Sequence, residues 1–143
     1  MFLLDTNVLS EALRPAPAPQ VVDWLNRCFP ESAICSVTIF ELGAGIALIG
    51  AGRRRDALES AVTRMIRRFE ARIYAFDTPA AQAATRLVVR ARSRGLGLHL
   101  VPAKLADLQI GGVAAAYGLT LATRNIADFQ GLDLSLENPW DAL

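Results

Sequence analysis

The chain opens with four apolar residues, MFLL, that run straight into Asp5, and short apolar runs of this kind recur along it. SAICSV (32–37), RIYAF (72–76) and LTLATR (119–124) have the same form, with little alternation of apolar and polar positions. Such runs predict strands covered on both faces, as in a parallel sheet. Between them the period changes to that of a helix. TNVLSEALRP reads as a helix that stops before Pro15, and APAP after it as a stiff turn. PQVVDWLNRCF (19–29) puts Val21, Val22, Leu25 and Phe29 on one side of a second helix. Ser36 or Thr38 is placed to cap a helix over 39–50. RRRDALESAVTRMIRRFEAR (53–72) carries an apolar stripe from Ala57 to Phe69. Thr78 and Pro79, as N-cap and first turn, open a helix that Gly95 ends. Its Arg86, Arg90 and Arg94 share a solvated face. Residues 95–102 read as a loop, 105–118 as a helix ended by Gly118, NIADF as a helical turn and 132–140 as the source of an edge strand. Strands alternating with helices predict an α/β fold built on a parallel sheet.

Composition narrows the chemistry. At 143 residues the chain reads as one domain over 1–143, and an apolar fraction of 52% supports a sizeable core. A net charge of +1 gives no global pull toward nucleic acid or a membrane. Two cysteines, Cys28 and Cys35, suit a reducing compartment without a disulfide framework. No signal peptide is visible, and the longest uncharged apolar stretch, 42–52, is too short to span a bilayer. The expected location is cytoplasmic, with no membrane partner. The single histidine, His99, excludes paired-histidine RNA cleavage within one chain and leaves a closed Cys/His zinc site short of ligands. A Ser–His–Asp triad would have to use His99, which reads as a solvated loop residue. Neither GxxxxGK[ST] nor GxGxxG occurs. Gly43, Gly45, Gly111 and Gly112 weaken their helices and are expected to permit close packing rather than bind phosphate.

Carboxylate remains in quantity. Asp5 is the only charge in residues 1–10, Glu41 the only one from 32 to 52, and Asp107 the only one from 105 to 123. No basic residue is counted close to any of them in sequence. Burying an unpaired carboxylate costs several kcal/mol, on the order of that for other desolvated ions, and one shared divalent cation answers all three. Ligands in open parallel sheets gather beyond the carboxyl ends of the strands. Asp5 ends the first strand, Glu41 and Asp107 lie on flanking helices, and Asp128 follows the fourth strand in an exposed-looking turn. Each acid also has a local reading. Asp5 can cap the next helix. Thr38-x-x-Glu41 and Asn125-x-x-Asp128 have capping-box spacing, and Asp107 can charge a helix start.

FLLDTNVLSE, SVTIFELGAGI, ADLQIGGVAAAYGLTLATRNIADF and the closing NPW together resemble the PIN-domain family, above all its VapC-like toxins, FitB-like members included. The likeness runs the length of the chain. It implies a three-layer fold with a central parallel sheet of four to five strands between helices. It implies a Mg²⁺- or Mn²⁺-dependent endoribonuclease, neutralised by a cognate VapB-type antitoxin. Such a chain would be a homodimer within the toxin–antitoxin complex and would meet operator DNA only through the antitoxin. The family's acidic quartet carries over onto Asp5, Glu41, Asp107 and Asp128 as catalytic and metal-binding residues. Its supporting polar positions carry over onto Thr6, Asn7, Ser36, Thr123 and Asn125. Arg124 is the nearest candidate for holding a substrate phosphate. Two other readings stand beside this one. The first is a PIN-like binding subunit of a DNA-bound complex with little nuclease activity. The second is phosphoryl transfer with Asp5 as nucleophile, where the usual second acid is replaced by Asn7.

Overall fold

The apolar runs pair into one parallel sheet. In the computed structural model, which describes residues 1–141, β1 (Phe2–Leu4) is central, with β2 (Ser32–Cys35) on one side and β4 (Thr120–Ala122) on the other. β3 (Ile73–Tyr74) lies beyond β2 and β5 (Leu136–Glu137) beyond β4, so the order is β3-β2-β1-β4-β5. β5 is the edge strand expected within 132–140. Leu3 pairs with Ala33 and Leu121, and Leu4 with Ala122, in register.

Successive strand residues face opposite ways, and each face has its own core. Leu4, Ile34 and Ala122 pack under α1 (Thr6–Ala12), α2 (Pro19–Cys28), α3 (Ser36–Ala47) and α4 (Arg53–Arg68), through Val8, Val21, Trp24, Leu42 and Val62. Leu3, Ala33 and Leu121 pack under α5 (Thr78–Ser93), α6 (Pro102–Tyr117) and α7 (Ile126–Phe129), through Leu87, Leu108, Val113 and Phe129. Burial on both sides is why the strands read as unbroken apolar runs. No helix among the described residues is long and apolar enough to cross a membrane.

Several element boundaries differ from the sequence reading, each for a local reason. β2 runs directly into α3 with Cys35 as N-cap, so neither Ser36 nor Thr38 caps it. Thr38 is fully buried instead, its hydroxyl 3.5 Å from Cys35 Sγ. α4 ends at Arg68 with Phe69 as C-cap, and Arg72 beyond it donates to the carbonyls of Phe29 and Ser32. Asp77, not Thr78, caps α5, accepting from Ala80 N–H at 3.2 Å. α6 starts three residues early, at Pro102, whose fixed φ suits a first helical turn. Arg90 and Arg94 do not share a merely solvated face. They donate to the carbonyls of Leu132 and Gly131 and fasten the loop before β5.

The glycines divide in the same way. A Cβ on Gly112 would lie 2.6 Å from the Ala80 carbonyl oxygen and from Ala84 Cβ, so this glycine sets the approach of α6 to α5. Gly43 and Gly45 have nothing within 4 Å of an added Cβ, which corrects the close-packing expectation at both. Gly112→Ala should therefore lose about 1–2 kcal/mol in urea denaturation, as overpacking outweighs helix propensity. Gly43→Ala in the same assay should gain roughly 0.5–1 kcal/mol.

Candidate active site at the carboxyl edge of the sheet

The strand order reverses at β1, between β2 on one side and β4 on the other. A crevice opens at such a switch point, outside the carboxyl ends of the strands. Asp5 follows β1 directly and Thr123 follows β4, so they stand on its two sides. The Asp5 N–H donates to the Ala122 carbonyl at 3.0 Å, which extends the ladder to the crevice itself.

Asp5 is only 2% exposed, and its carboxylate is held by three donors. Oδ1 accepts from Thr6 N–H at 2.7 Å and so caps α1. Oδ2 accepts from Asn7 Nδ2 and from Thr123 Oγ1, both at 2.6 Å. Asp5 is therefore a helix cap, and Oδ1, with one bond, keeps a lone pair among the described residues. Burial raises its pKa. The Thr123 hydroxyl and the Thr6 N–H oppose that rise, and the charge of Glu41 adds to it.

Thr123 is fully buried and its hydroxyl is fully used. It donates to Asp5 and accepts from Asn125 N–H at 3.0 Å and Asn7 Nδ2 at 3.2 Å. Asn7 Oδ1 in turn accepts the Arg124 N–H at 3.3 Å. The segments after β1 and β4 are thus laced together through side chains that the sequence reading had grouped only by resemblance.

Glu41 reaches the same place from α3, where its Oε2 accepts from the Thr6 hydroxyl. The capping box expected with Thr38 is not formed, since Thr38 is buried beside Cys35. Asp107 sits in the second turn of α6, half-buried, with Asn125 Nδ2 at 3.4 Å from its Oδ2. Its pKa is pushed up to about 6, first by burial and then by the charge of Asp5; Lys104 opposes this, and Glu41 and Asp128 add to it. Four carboxylates from four different elements therefore act on one crevice.

Lys104 is the residue the sequence reading passed over. The early start of α6 puts it one turn before Asp107 on the same helix face. Its Nζ lies 3.7 Å from Asp107 Oδ2 and bonds to Asp128 Oδ2. The expectation that no basic residue is near these acids in sequence is corrected: the i−3 spacing to Asp107 was the available signal. The Asp128 bond raises the Lys104 pKa and fixes it as an ammonium. It also makes Asp128 half-buried and paired, rather than part of an exposed turn.

Ser36 does not join this network. Its Oγ accepts the Phe76 N–H at 3.0 Å and anchors the segment after β3. Arg124 is exposed at the rim, with its guanidinium 5.3 Å above the Trp140 ring. His99 is half-buried rather than solvated, and its Nδ1 is closed off without a partner among the described residues. Beside the acids, a cavity of about 590 Å³ runs between α1, α3 and α4. Thr6 and Glu41 are part of its lining, with Leu13, Ile46, Ile49 and Leu58 among its apolar residues.

Among the described residues no three Asp, Glu, His or Cys side chains come close enough to ligate one ion together. The donors are all oxygens, however, and Mg²⁺ characteristically takes one or two carboxylates and keeps several waters. The set fits a hydrated hard cation and lacks the nitrogen and sulfur ligands that zinc or copper prefer.

A PIN domain model matches residues 2–133. The chain is 38% identical to "Plasmid stability protein StbB" of Pseudomonas syringae pv. tomato, over 99% of this chain and 100% of the relative. It is 36% identical to "Toxin FitB" of Neisseria gonorrhoeae, over 98% and 99%. It is 32% identical to "VapC ribonuclease Y4jK" of Sinorhizobium fredii, over 99% of each chain. Among solved structures, a chain of FitAB bound to an IR36 DNA fragment superposes with a TM-score of 0.89 at 32% identity, over 100% of this chain and 98% of that one.

The charge of the crevice has a consequence for stability. The folded Asp107 value lies above the usual 3.8, so between about 3.8 and about 6 this group holds more proton in the folded chain than in the unfolded one. Without metal, stability should fall as pH rises through that window. Asp107→Asn should stabilise the metal-free protein by roughly 1–2 kcal/mol at neutral pH, allowing for partial solvent screening, and by little at acid pH. Urea denaturation in EDTA across that range measures it.

Proposed function

Since this chain belongs to the PIN-domain family, we propose that it is a Mg²⁺-dependent endoribonuclease, the toxin of a toxin–antitoxin pair. The observation that carries this reading is the convergence of Asp5, Glu41, Asp107 and Asp128 on the switch-point crevice, with the Asp107 carboxylate disfavoured by burial and then by its neighbours' charge. A pocket of acids repels phosphate, and a divalent cation reconciles such a pocket with an RNA substrate. Asp5 and Asp107 would hold Mg²⁺, or Mn²⁺, with Glu41 and Asp128 completing the pocket. When bound, the cation supplies a water of lowered pKa and positive charge against the scissile phosphate.

The chain's own side chains do the positioning. Asn7 and Thr123 occupy Asp5 Oδ2 and fix the carboxylate plane, leaving Oδ1 for the cation side. Thr6 orients Glu41, and Asn125 orients Asp107. Ser36 supports the site only through the backbone after β3. Arg124, propped on Trp140 at the rim, is suited to grip a phosphate flanking the scissile one. Hydrolysis in this arrangement leaves a 5′-phosphate and a 3′-hydroxyl. Nucleophilic attack by Asp5 itself is poorly served, because its carboxylate is buried and already holds three hydrogen bonds.

The relative named Toxin FitB supports a cognate VapB-type antitoxin as partner, and the FitAB complex bound to a DNA fragment supports a contact with operator DNA through that antitoxin. A homodimer within such a complex, working in the cytoplasm, belongs to the same reading. The apolar cavity between α1, α3 and α4 is the seat we assign to an antitoxin helix. Because Thr6 and Glu41 line it, a segment bound there would sit beside the acids. The competing reading, a binding subunit with little cleavage, also draws support from the DNA-bound relative.

One assay separates the two. Purified free of partner, the chain should cleave RNA with Mg²⁺ and stop in EDTA. Asp5→Ala and Asp107→Ala should each lose at least about 10²-fold in rate, the scale expected when a group central to transition-state electrostatics is removed. Metal-independent cleavage, or full activity in both variants, would sink the nuclease reading. No cleavage by the wild type would favour the binding subunit.

A further inference from the structure

Lys104 is the only lysine among fifteen Lys and Arg residues, and it sits half-buried at the acid pocket, paired with Asp128. Its side chain is 32% exposed, against 15% for Asp107 and 25% for Asp128. α6 starting at Pro102 fixes its place, with the Lys104 N–H donating to the Val101 carbonyl at 2.9 Å. Nζ bonds to Asp128 Oδ2 and stands 3.7 Å from Asp107 Oδ2. Asn125 Nδ2 lies beside that same Asp107 oxygen at 3.4 Å. On this side of the pocket the ammonium thus faces one oxygen of each carboxylate, Asp128 Oδ2 and Asp107 Oδ2.

The other side differs. Asp5 Oδ1 has one bond, to Thr6 N–H. Glu41 Oε1 and Asp107 Oδ1 have no hydrogen-bond partner among the described residues. An ammonium is a compact unit charge with three donors and no acceptor. It cannot share a ligand oxygen with a dication without strong like-charge repulsion.

We propose that Lys104 is a resident cation that occupies the Asp107–Asp128 side of the pocket, so that the pocket takes one divalent cation, held by Asp5 and Asp107 with water completing its shell, and excludes a second. This rests on the cation reading of the site given above. Lys104 is a positioning residue in this scheme. It balances Asp128 and turns Asp107 so that one oxygen is spent on the protein and the other left for metal. Asp128 then acts through Lys104 and not as a metal ligand.

The test is metal stoichiometry, read without any turnover. Mn²⁺ is titrated into the partner-free chain by calorimetry, and the bound ion is observed by electron paramagnetic resonance. The wild type should bind one Mn²⁺ per chain, with the spectrum of an isolated ion. Lys104→Met should bind two, with the broadening of a spin-coupled pair, and Lys104→Arg should stay at one. Two ions in the wild type would overturn the inference while leaving the metal-dependent reading intact. So would a folded Lys104→Met that still binds one ion with unchanged affinity. If Lys104→Met does not fold, Lys104→Gln takes its place, and the wild-type count decides by itself. No Mn²⁺ bound by any of these proteins would overturn this inference and the cation reading together.

Discussion

The hydrogen bond from the Thr123 hydroxyl to Asp5 crosses the β1/β4 seam, and the site depends on it. It joins residues 118 positions apart in sequence and lies in fully buried surroundings. A hydrogen bond to a charged acceptor is worth about 1.5–3 kcal/mol, and losing it here would leave a buried carboxylate short of a partner. From this bond the rest follows outward. Asn7 joins Asp5 and Thr123, Thr6 carries the link to Glu41, and Asn125 carries it to Asp107. The sheet supplies the rigid base because both its faces are packed, and the crevice lies where its strand order reverses.

The electrostatics of the crevice are left unbalanced on one side only. Lys104 settles the charge of Asp128 and part of that of Asp107. The raised pKa values of Asp5 and Asp107 come first from burial, and the repulsion among Asp5, Glu41 and Asp107 adds to it. That tension is the physical argument for a cation there. Like charges held together by a packed scaffold are a common mark of a functional site.

Much of this was legible in the chain. Four apolar runs marked the strands, and the isolation of Asp5, Glu41 and Asp107 marked the acids. What escaped was set by tertiary contact. The Thr38 spacing looked like a capping box, but burial against Cys35 removed Thr38 from that role. Lys104 stands just outside the apolar segment 105–123 that isolates Asp107, and only the early start of α6 brings it onto the same helix face. Arg90 and Arg94 looked solvated because their acceptors, the carbonyls of Leu132 and Gly131, are some forty positions away in sequence. Periodicity sees one element at a time, and these interactions are made between elements. The pairing of Asp5 as both cap and pocket wall was foreseeable, since one carboxylate has lone pairs for both.

The account's central claim is that the unbalanced side of the crevice is a divalent cation site centred on Asp5. A ligand that binds only the folded state stabilises it, by about 2.7 kcal/mol when present at a hundred times its dissociation constant. The direct measurement is the thermal midpoint of the partner-free chain with and without saturating Mg²⁺, for the wild type and for Asp5→Asn. The wild-type midpoint should rise by several degrees and that of Asp5→Asn should not move. An equal rise in both, or none in the wild type, would contradict the account.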